Sequence, residues 1–262
     1  MISIHEHGFV KLVDSMPTQE LDEAIVQAAR VSYAGGTTAT RGTRGLIRYL
    51  LRHYHTTPFE MIEFKFHIKI PIFIARQHLR HRTASVNELS ARYSVVPDEF
   101  FTPDNFRTQS DTNKQSSDGV SKVDVQPAKE QCESAFTLYT GMLDDGACRE
   151  LARCHLPQST YTEFYWKINL HNLMHYLRLR MEKGAQQEIQ DYANAIYNLV
   201  EPLVPITMEA FNDFRVNSMT LTGPEIEIIK KLKMLNFDKE ETKFLQSPGE
   251  NREFIEKIKN LC

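Results

Sequence analysis

The sequence from residue 64 to residue 70 alternates strictly between apolar and polar side chains. The apolar positions are Phe64, Phe66, Ile68 and Ile70, and a period of two residues puts all four on one face of a β-strand. A strand with one apolar face must bury that face against other elements. This segment therefore requires a sheet with a covering layer.

Helical periodicity dominates the rest of the chain and supplies that layer. The helical segments are residues 19–31, 46–54, 128–143, 147–155 and 185–214. Pro202 and Pro205 interrupt the last of them. Residues 2–4, 9–13 and 161–166 read as further strands, and Asn169 is suited to cap a helix that follows. The predicted fold is α+β, with a mixed or antiparallel sheet, surrounding helices and a helical C-terminal half.

Two segments stand apart from this pattern. Residues 108–127 have almost no apolar content and predict a mobile loop. Thr222 with Glu225, and Ser247 with Glu250, have the spacing of a capping box, and an amphipathic run follows each pair. The tail is therefore predicted to form a helical hairpin.

The alternating strand leads into a cluster of cationic and small polar side chains at residues 80–93. The cluster contains three arginines, although the net charge of the chain is −3. Guanidinium groups match the geometry of phosphate oxygens, so the cluster predicts a site for an anionic, phosphate-bearing ligand. A solvated basic helix face is the alternative. Arg80, Arg82 and Arg92 do not recur at helical intervals, which disfavours it.

Two other functions are compatible with single features of the chain. A metal-dependent hydrolase could use three histidine pairs with ligand-like spacing, which are His53 and His55, His78 and His81, and His171 and His175. The chain has no HExxH pattern, and we predict no metal site. A non-enzymatic nucleic-acid-binding protein could use the arginines, but the acidic balance and the single tryptophan disfavour it.

The cysteines point to a reducing compartment. The four cysteines form no CxxC pair and are too sparse for a disulfide framework. No signal peptide or membrane-spanning run is visible, so we expect a cytoplasmic protein without membrane association. Cys154 next to His155 could be a nucleophile beside a base, but neighbours on a helix point in different directions. We expect Cys154 to be a small buried hydrophobic residue.

The arginine cluster resembles the signature of the flavin-dependent thymidylate synthases, which is RHR, seven residues and a serine. Arg80-His81-Arg82 and Ser90 occupy these positions, and the agreement runs on to Ser94. Further similar motifs follow in the family's order at residues 28–32, 55–60, 75–77, 150–153, 169–180 and 186–189. The resemblance covers residues 1–215, which we assign to the family core. Residues 216–262 are then a C-terminal helical extension.

The resemblance implies an enzyme that methylates dUMP to dTMP. The one-carbon donor would be 5,10-methylenetetrahydrofolate, and FAD reduced by NADPH would carry the hydride. The family also implies a homotetramer with shared active sites. The implied FAD-binding residues are Ser32, Thr57, Arg80, His81, Arg82, Glu88, Asn169, His171 and His175. The implied dUMP-binding residues are Gln77, Arg80, Glu88, Leu89, Ser90, Ala91, Arg92, Arg153 and Arg180.

Arg180 is the candidate catalytic residue. Uracil C5 becomes nucleophilic as negative charge develops through N3 and O4, and a fixed guanidinium stabilises that charge without losing a proton. No enzyme nucleophile is then needed, and Ser90 is assigned to phosphate binding. The alternative for Arg180 is a cation that stabilises a helix C-terminus. Gly184 and Ala91 depart from residues common in the family, where a histidine and a glycine are frequent.

Overall fold

The computed structural model describes residues 1–32, 42–111, 113–232 and 248–261. This part of the chain forms two compact units, residues 1–211 and residues 212–262. The strands are β1 (Ile2–Ile4), β2 (Gly8–Met16), β3 (Glu63–Pro71), β4 (Ser85–Glu88), β5 (Thr108–Gln109), β6 (Ser117–Asp118) and β7 (Tyr161–Asn169). The α-helices of the first unit are α1 (Leu21–Arg30), α2 (Thr43–Arg52), α3 (Thr57–Glu60), α4 (Ile72–His78), α5 (Gln126–Asp144), α6 (Arg149–Ala152), α7 (Leu170–Arg180), α8 (Gln187–Val200) and α9 (Pro205–Phe211).

An antiparallel sheet with the strand order β1-β2-β3-β7-β4 forms the centre of the first unit. The four alternating apolar residues of β3 are fully buried, which confirms the strand predicted from their period. Trp166 lies opposite Phe66 in the neighbouring strand β7 and is also fully buried. The predicted α+β class with an antiparallel sheet and surrounding helices is therefore confirmed.

Helices α4 and α7 cover the buried face of β7. The ring of His78 in α4 lies 4.3 Å from that of Trp166, and the ring of Tyr176 in α7 lies 5.2 Å from it. Asn169 caps α7 as predicted, because its side-chain oxygen accepts a hydrogen bond of 2.9 Å from the Asn172 backbone N–H. The ring contacts therefore pack α4 and α7 against each other on the same face of β7.

The segment after α7 is broken by its prolines. Helix α8 ends at Val200, a 3₁₀ turn spans Glu201–Leu203, and α9 begins at Pro205. The buried carboxylate of Asp22 receives hydrogen bonds from the backbone N–H groups of Ile206 and Thr207 and from the Thr207 hydroxyl. Burial raises the pKa of Asp22, and these three hydrogen bonds act in the opposite direction. Asp22 therefore satisfies the first donors of α9.

Residues 108–127 contain more structure than their composition predicted. Strands β5 and β6 pair as a short hairpin, and α5 already begins at Gln126. Each of the two strands is only two residues long, so neither leaves a hydrophobic period in the sequence. The predicted loop is therefore mostly without regular structure, but it contains a short hairpin and ends before Gln126.

The second unit contains a π-helical turn (Asn212–Val216) and the helices α10 (Gly223–Leu232) and α11 (Pro248–Leu261), which contact each other. Both the backbone N–H and the hydroxyl of Thr222 donate to the Glu225 carboxylate, which confirms the first predicted capping pair in part. Ser247, of the second pair, lies outside the described residues. Among the helices described, none is both long and apolar enough to cross a membrane.

Candidate active site

The chain from β3 through α4 delivers the arginine motif to the surface. Helix α4 buries Ile74, Ala75 and His78, and its end is closed by backbone hydrogen bonds from Arg80 N–H to Gln77 and from His81 N–H to His78. The chain turns outward there because the next strand, β4, must reach the far edge of β7. The turn leaves the flanking arginines exposed and the central histidine half-buried.

A cavity of about 480 Å³ lies between this turn and α7. Five of the residues predicted to bind FAD or dUMP line it, which are Arg80, His81, Arg82, His175 and Arg180. Among the described residues, no carboxylate pairs with Arg80 or Arg82. Their charges are therefore available for an anionic ligand.

Arg180 is held in this cavity by two hydrogen bonds to the α4 segment. Its Nε donates to Nε2 of His81 at 3.0 Å, and its Nη2 donates to the backbone oxygen of Gln77 at 3.2 Å. Arg180 is also the last residue of α7, so its positive charge interacts favourably with the helix dipole as well. The two bonds orient the guanidinium toward the cavity, which the helix-end role alone would not require.

His81 is neutral in this arrangement. Burial, with further contributions from the charges of Arg180 and His175, lowers the pKa of His81 to about 4. A nitrogen that accepts a hydrogen bond from a guanidinium carries no proton, so the proton of His81 is on Nδ1. At neutral pH the positive charge therefore stays on Arg180.

A fully buried aromatic layer supports the cavity from behind. His78, Trp166 and Tyr176 pack against one another, with the rings of His78 and Tyr176 4.8 Å apart. The rings of Tyr176 and His81 also form a T-shaped pair, with their centroids 4.9 Å apart. Burial lowers the pKa of His78 to about 3 and raises the pKa of Tyr176. Both groups are therefore uncharged, and the layer is a rigid, neutral wall.

A second cavity, of about 290 Å³, contains other predicted dUMP-binding residues, namely Leu89, Ala91 and Arg153. Cys154 also lines this cavity and is exposed, with its thiol donating to the backbone oxygen of Glu150 at 3.6 Å. The expectation that Cys154 is buried was wrong, because α6 and the 3₁₀ turn Arg153–His155 lie at the surface and nothing described covers Cys154.

Glu88, Ser90 and Arg92 do not line this second cavity but are adjacent in sequence to Leu89 and Ala91, which do. Ser90 begins a tight turn, because its backbone oxygen accepts from the N–H groups of Tyr93 and Ser94, and its hydroxyl accepts from the Arg92 N–H at 3.3 Å. The side chain of Arg92 lines an adjacent recess. Glu88, at the end of β4, accepts a hydrogen bond of 2.6 Å from the Thr162 hydroxyl.

Five predicted FAD-binding residues line neither cavity, and Glu88, described above, is one of them. Ser32 and Thr57 are exposed, on the turn after α1 and at the start of α3. Asn169 and His171 lie at the start of α7, away from the end that carries Arg180. Arg80, Arg82 and Arg180 therefore lie around one cavity, and Arg153 lines another. Within one chain, the two cavities are separate.

Several polar residues of the site were not predicted from the sequence. Asn172 lines the first cavity together with His175, and its spacing of three residues from His175 on α7 could have identified it. Gln186 and Glu188 join the site through the side chain of Gln77, although they are far from Gln77 in sequence and no local pattern indicates the contact. Among the described residues, no cluster of three or more His, Cys, Asp or Glu side chains could hold a metal ion.

Comparison with known proteins identifies the family. Residues 11–206 match the family described as thymidylate synthase complementing protein. The chain is 50% identical to the flavin-dependent thymidylate synthase of Dictyostelium discoideum over 248 residues, which is 90% of this chain and 81% of the relative. It is 47% identical to the flavin-dependent thymidylate synthase of Thermus thermophilus, over 88% of this chain and 85% of that protein.

A solved structure is similar as well. The UMP/dUMP methylase PolB from Streptomyces cacaoi, bound with 5-Br dUMP, superposes with a TM-score of 0.73 at 38% identity. The match covers 83% of this chain and 100% of that one. The family match and the identity to these relatives extend over most of the chain. The chain therefore belongs to the flavin-dependent thymidylate synthase family.

Proposed function

We propose that this chain catalyses the reductive methylation of dUMP to dTMP. The one-carbon donor is 5,10-methylenetetrahydrofolate, and FAD reduced by NADPH is the hydride carrier. The observation that carries the proposal is the fixed guanidinium of Arg180, in a cavity with two further arginines that pair with no described carboxylate. Such a cavity suits ligands that bring negative charge.

The residues present fit FAD. The diphosphate of FAD needs cationic or N–H donors, and Arg80 and Arg82 are exposed and have no carboxylate partner among the described residues. The neutral His81 ring lines the cavity and is packed against the buried Tyr176, so it offers an uncharged ring to the ligand. The residues that would hold FAD are Ser32, Thr57, Arg80, His81, Arg82, Glu88, Asn169, His171 and His175. When bound, FAD supplies the hydride transfer that amino-acid side chains cannot provide.

Arg180 is the catalytic residue of this proposal. Its guanidinium stabilises the negative charge that develops on the uracil ring as C5 becomes nucleophilic. Hydrogen bonds to His81 and to Gln77 hold it in one orientation, so little reorganisation is required during the reaction. No side chain has to act as a nucleophile.

The dUMP site is composed of two groups of residues. Gln77, Arg80 and Arg180 form one, and Glu88, Leu89, Ser90, Ala91, Arg92 and Arg153 form the other, with Ser90, Arg92 and Arg153 binding the phosphate. Arg80 and Arg180 of the first group line one cavity, and Leu89, Ala91 and Arg153 of the second group line another. Because these cavities are separate in one chain, an oligomer in which each site takes one group from each of two subunits is favoured. We propose a homotetramer of this kind in the cytoplasm, with its catalytic core in residues 1–215 and a helical extension at residues 216–262.

The function is tested by product formation. Purified protein incubated with dUMP, 5,10-methylenetetrahydrofolate, FAD and NADPH should convert dUMP to dTMP, measured by chromatography. Omission of either FAD or NADPH should stop the reaction. Formation of dTMP without flavin, or no dTMP from a folded protein that has bound FAD, would contradict the proposal.

A further inference from the structure

Four polar side chains form a continuous chain of hydrogen bonds that ends at the active site. Gln77 Nε2 donates to Gln186 Oε1 at 2.6 Å, and Gln186 Nε2 donates to Glu188 Oε2 at 2.8 Å. Glu188 in turn accepts from Nη2 of Arg107 at 2.8 Å and is buried. We call Arg107, Glu188, Gln186 and Gln77 the polar relay.

The relay has a direction, and Glu188 sets it. A carboxylate paired with a guanidinium can only accept hydrogen bonds, whereas an amide can either donate or accept depending on how it is turned. Gln186 must therefore present its NH₂ group to Glu188 and its oxygen to Gln77. Gln77 must then present its NH₂ group to Gln186.

The cationic end of the relay is held by the polar segment of residues 108–127, which was predicted to be a loop. Nε of Arg107 donates to the hydroxyl of Ser117 at 2.8 Å, and Ser117 belongs to β6 of the short hairpin. Arg107 is thereby fixed in the position where it pairs with Glu188. The hairpin is linked to the active site by side-chain hydrogen bonds.

The other end of the relay lies beside the catalytic arginine. The backbone oxygen of Gln77 is the acceptor for Nη2 of Arg180. The side-chain oxygen of Gln77 receives no hydrogen bond from any residue that the structure describes. The relay therefore leaves an oriented side-chain acceptor on Gln77, the residue whose backbone oxygen binds Arg180.

We propose that Glu188 is a positioning residue: acting through Gln186, it makes Gln77 offer an acceptor oxygen to a hydrogen-bond donor of the nucleotide. This inference rests on the proposed function, in which dUMP binds beside Gln77. Two groups of dUMP can donate, the uracil N3–H and the deoxyribose 3′-hydroxyl, whereas a phosphate dianion cannot. The relay therefore contributes to nucleotide selection.

The test compares Glu188→Gln with the wild type in the FAD-loaded protein. An amide at residue 188 can donate as well as accept, so the relay loses its fixed direction. Dissociation constants are measured for dUMP, N3-methyl-dUMP and 2′,3′-dideoxyuridine monophosphate. The wild type should prefer dUMP over one of the two analogues by about tenfold or more, because a site built to accept a hydrogen bond rejects a ligand without the donor. In Glu188→Gln that preference should fall below about threefold.

Two further variants make the result interpretable. Glu209→Gln removes another carboxylate that pairs with arginines, Arg44 and Arg48, outside both cavities, and it should keep the wild-type preference. Gln186→Met interrupts the relay without removing the ion pair of Glu188 with Arg107, and it should lose the preference in the same way. It carries the test if Glu188→Gln does not fold.

The outcomes distinguish a failure of the positioning role from a failure of the proposed function. The analogue that is rejected identifies the donor, N3–H or the 3′-hydroxyl. If the wild type discriminates against neither analogue, or if folded Glu188→Gln and Gln186→Met discriminate as the wild type does, the positioning role is overturned. A wild-type protein that makes no dTMP instead overturns the proposed function itself.

Discussion

Replacement of Arg180 by alanine tests the catalytic assignment most sharply. A guanidinium has five N–H groups. One donates to His81 and one to the backbone oxygen of Gln77, which leaves three N–H groups for a ligand. Removal of one oriented donor to a developing anion typically lowers kcat by about 10²–10³-fold. We expect a loss of kcat/KM of about this size in Arg180→Ala, with FAD binding retained.

The same variant should change His81. Arg180 is one of the causes that lower the pKa of His81 to about 4, although burial is the largest. Without Arg180, the pKa of His81 should rise but stay below its ordinary value, because the burial remains. A proton NMR titration of the C–H signals of His81, assigned with the aid of a His81→Gln variant, measures this shift.

Turnover is measured by dTMP formation under saturating FAD and NADPH, and Lys183→Ala is the matched control. Lys183 is an exposed cation shortly after the end of α7 that lines neither cavity, so its removal should leave turnover close to that of the wild type. If Arg180→Ala retained turnover within about fivefold of wild type, far less than the loss of an oriented donor costs, Arg180 would be only a helix-end cation.

Three further predictions concern stability and assembly. Because the pKa of His78 is about 3 in the folded protein and near 6.5 when unfolded, the unfolded state binds more protons between these values, and stability should fall as the pH decreases from 6.5 toward 3. In His78→Phe the melting temperature should fall less between neutral and acidic pH, and an unchanged pH dependence would refute this origin. Asp22→Ala leaves three donors at the start of α9 without their acceptor and should cost about 2–4 kcal/mol in urea unfolding; a cost below about 0.5 kcal/mol would contradict the capping role. Mixed oligomers of Arg153→Ala with Arg180→Ala should recover turnover that neither variant has alone, because some shared sites then contain both arginines; no recovery in oligomers shown to contain both variants would refute shared sites.

Local patterns predicted the parts of this fold that depend on neighbouring residues. The alternation in β3 predicted a buried face, and Asn169 predicted the start of α7, because both depend on backbone geometry over a few residues. The hairpin of β5 and β6 escaped prediction because strands of two residues carry no period. The exposure of Cys154 depends on what covers α6, which sequence alone does not reveal.

The identity of many candidate site residues could be predicted from the sequence, but their arrangement in space could not. The spacing of Arg80, His81, Arg82 and Ser90 identified the motif through its resemblance to a family. The contacts of Arg180 with Gln77 and His81 join residues about a hundred positions apart, and the link from Gln77 to Gln186 does the same. No short-range pattern encodes such contacts. The division of the motif between two cavities also arises only when β4 pairs with the edge of β7.

The central claim is that one cationic site holds a flavin and dUMP side by side. The most direct measurement is the visible absorption spectrum of the FAD-reconstituted protein during a titration with dUMP. In a shared site, the flavin band should shift saturably as dUMP binds and should bleach when NADPH is added. A folded protein that binds no FAD, or a bound flavin whose spectrum stays unchanged up to millimolar dUMP, would contradict it.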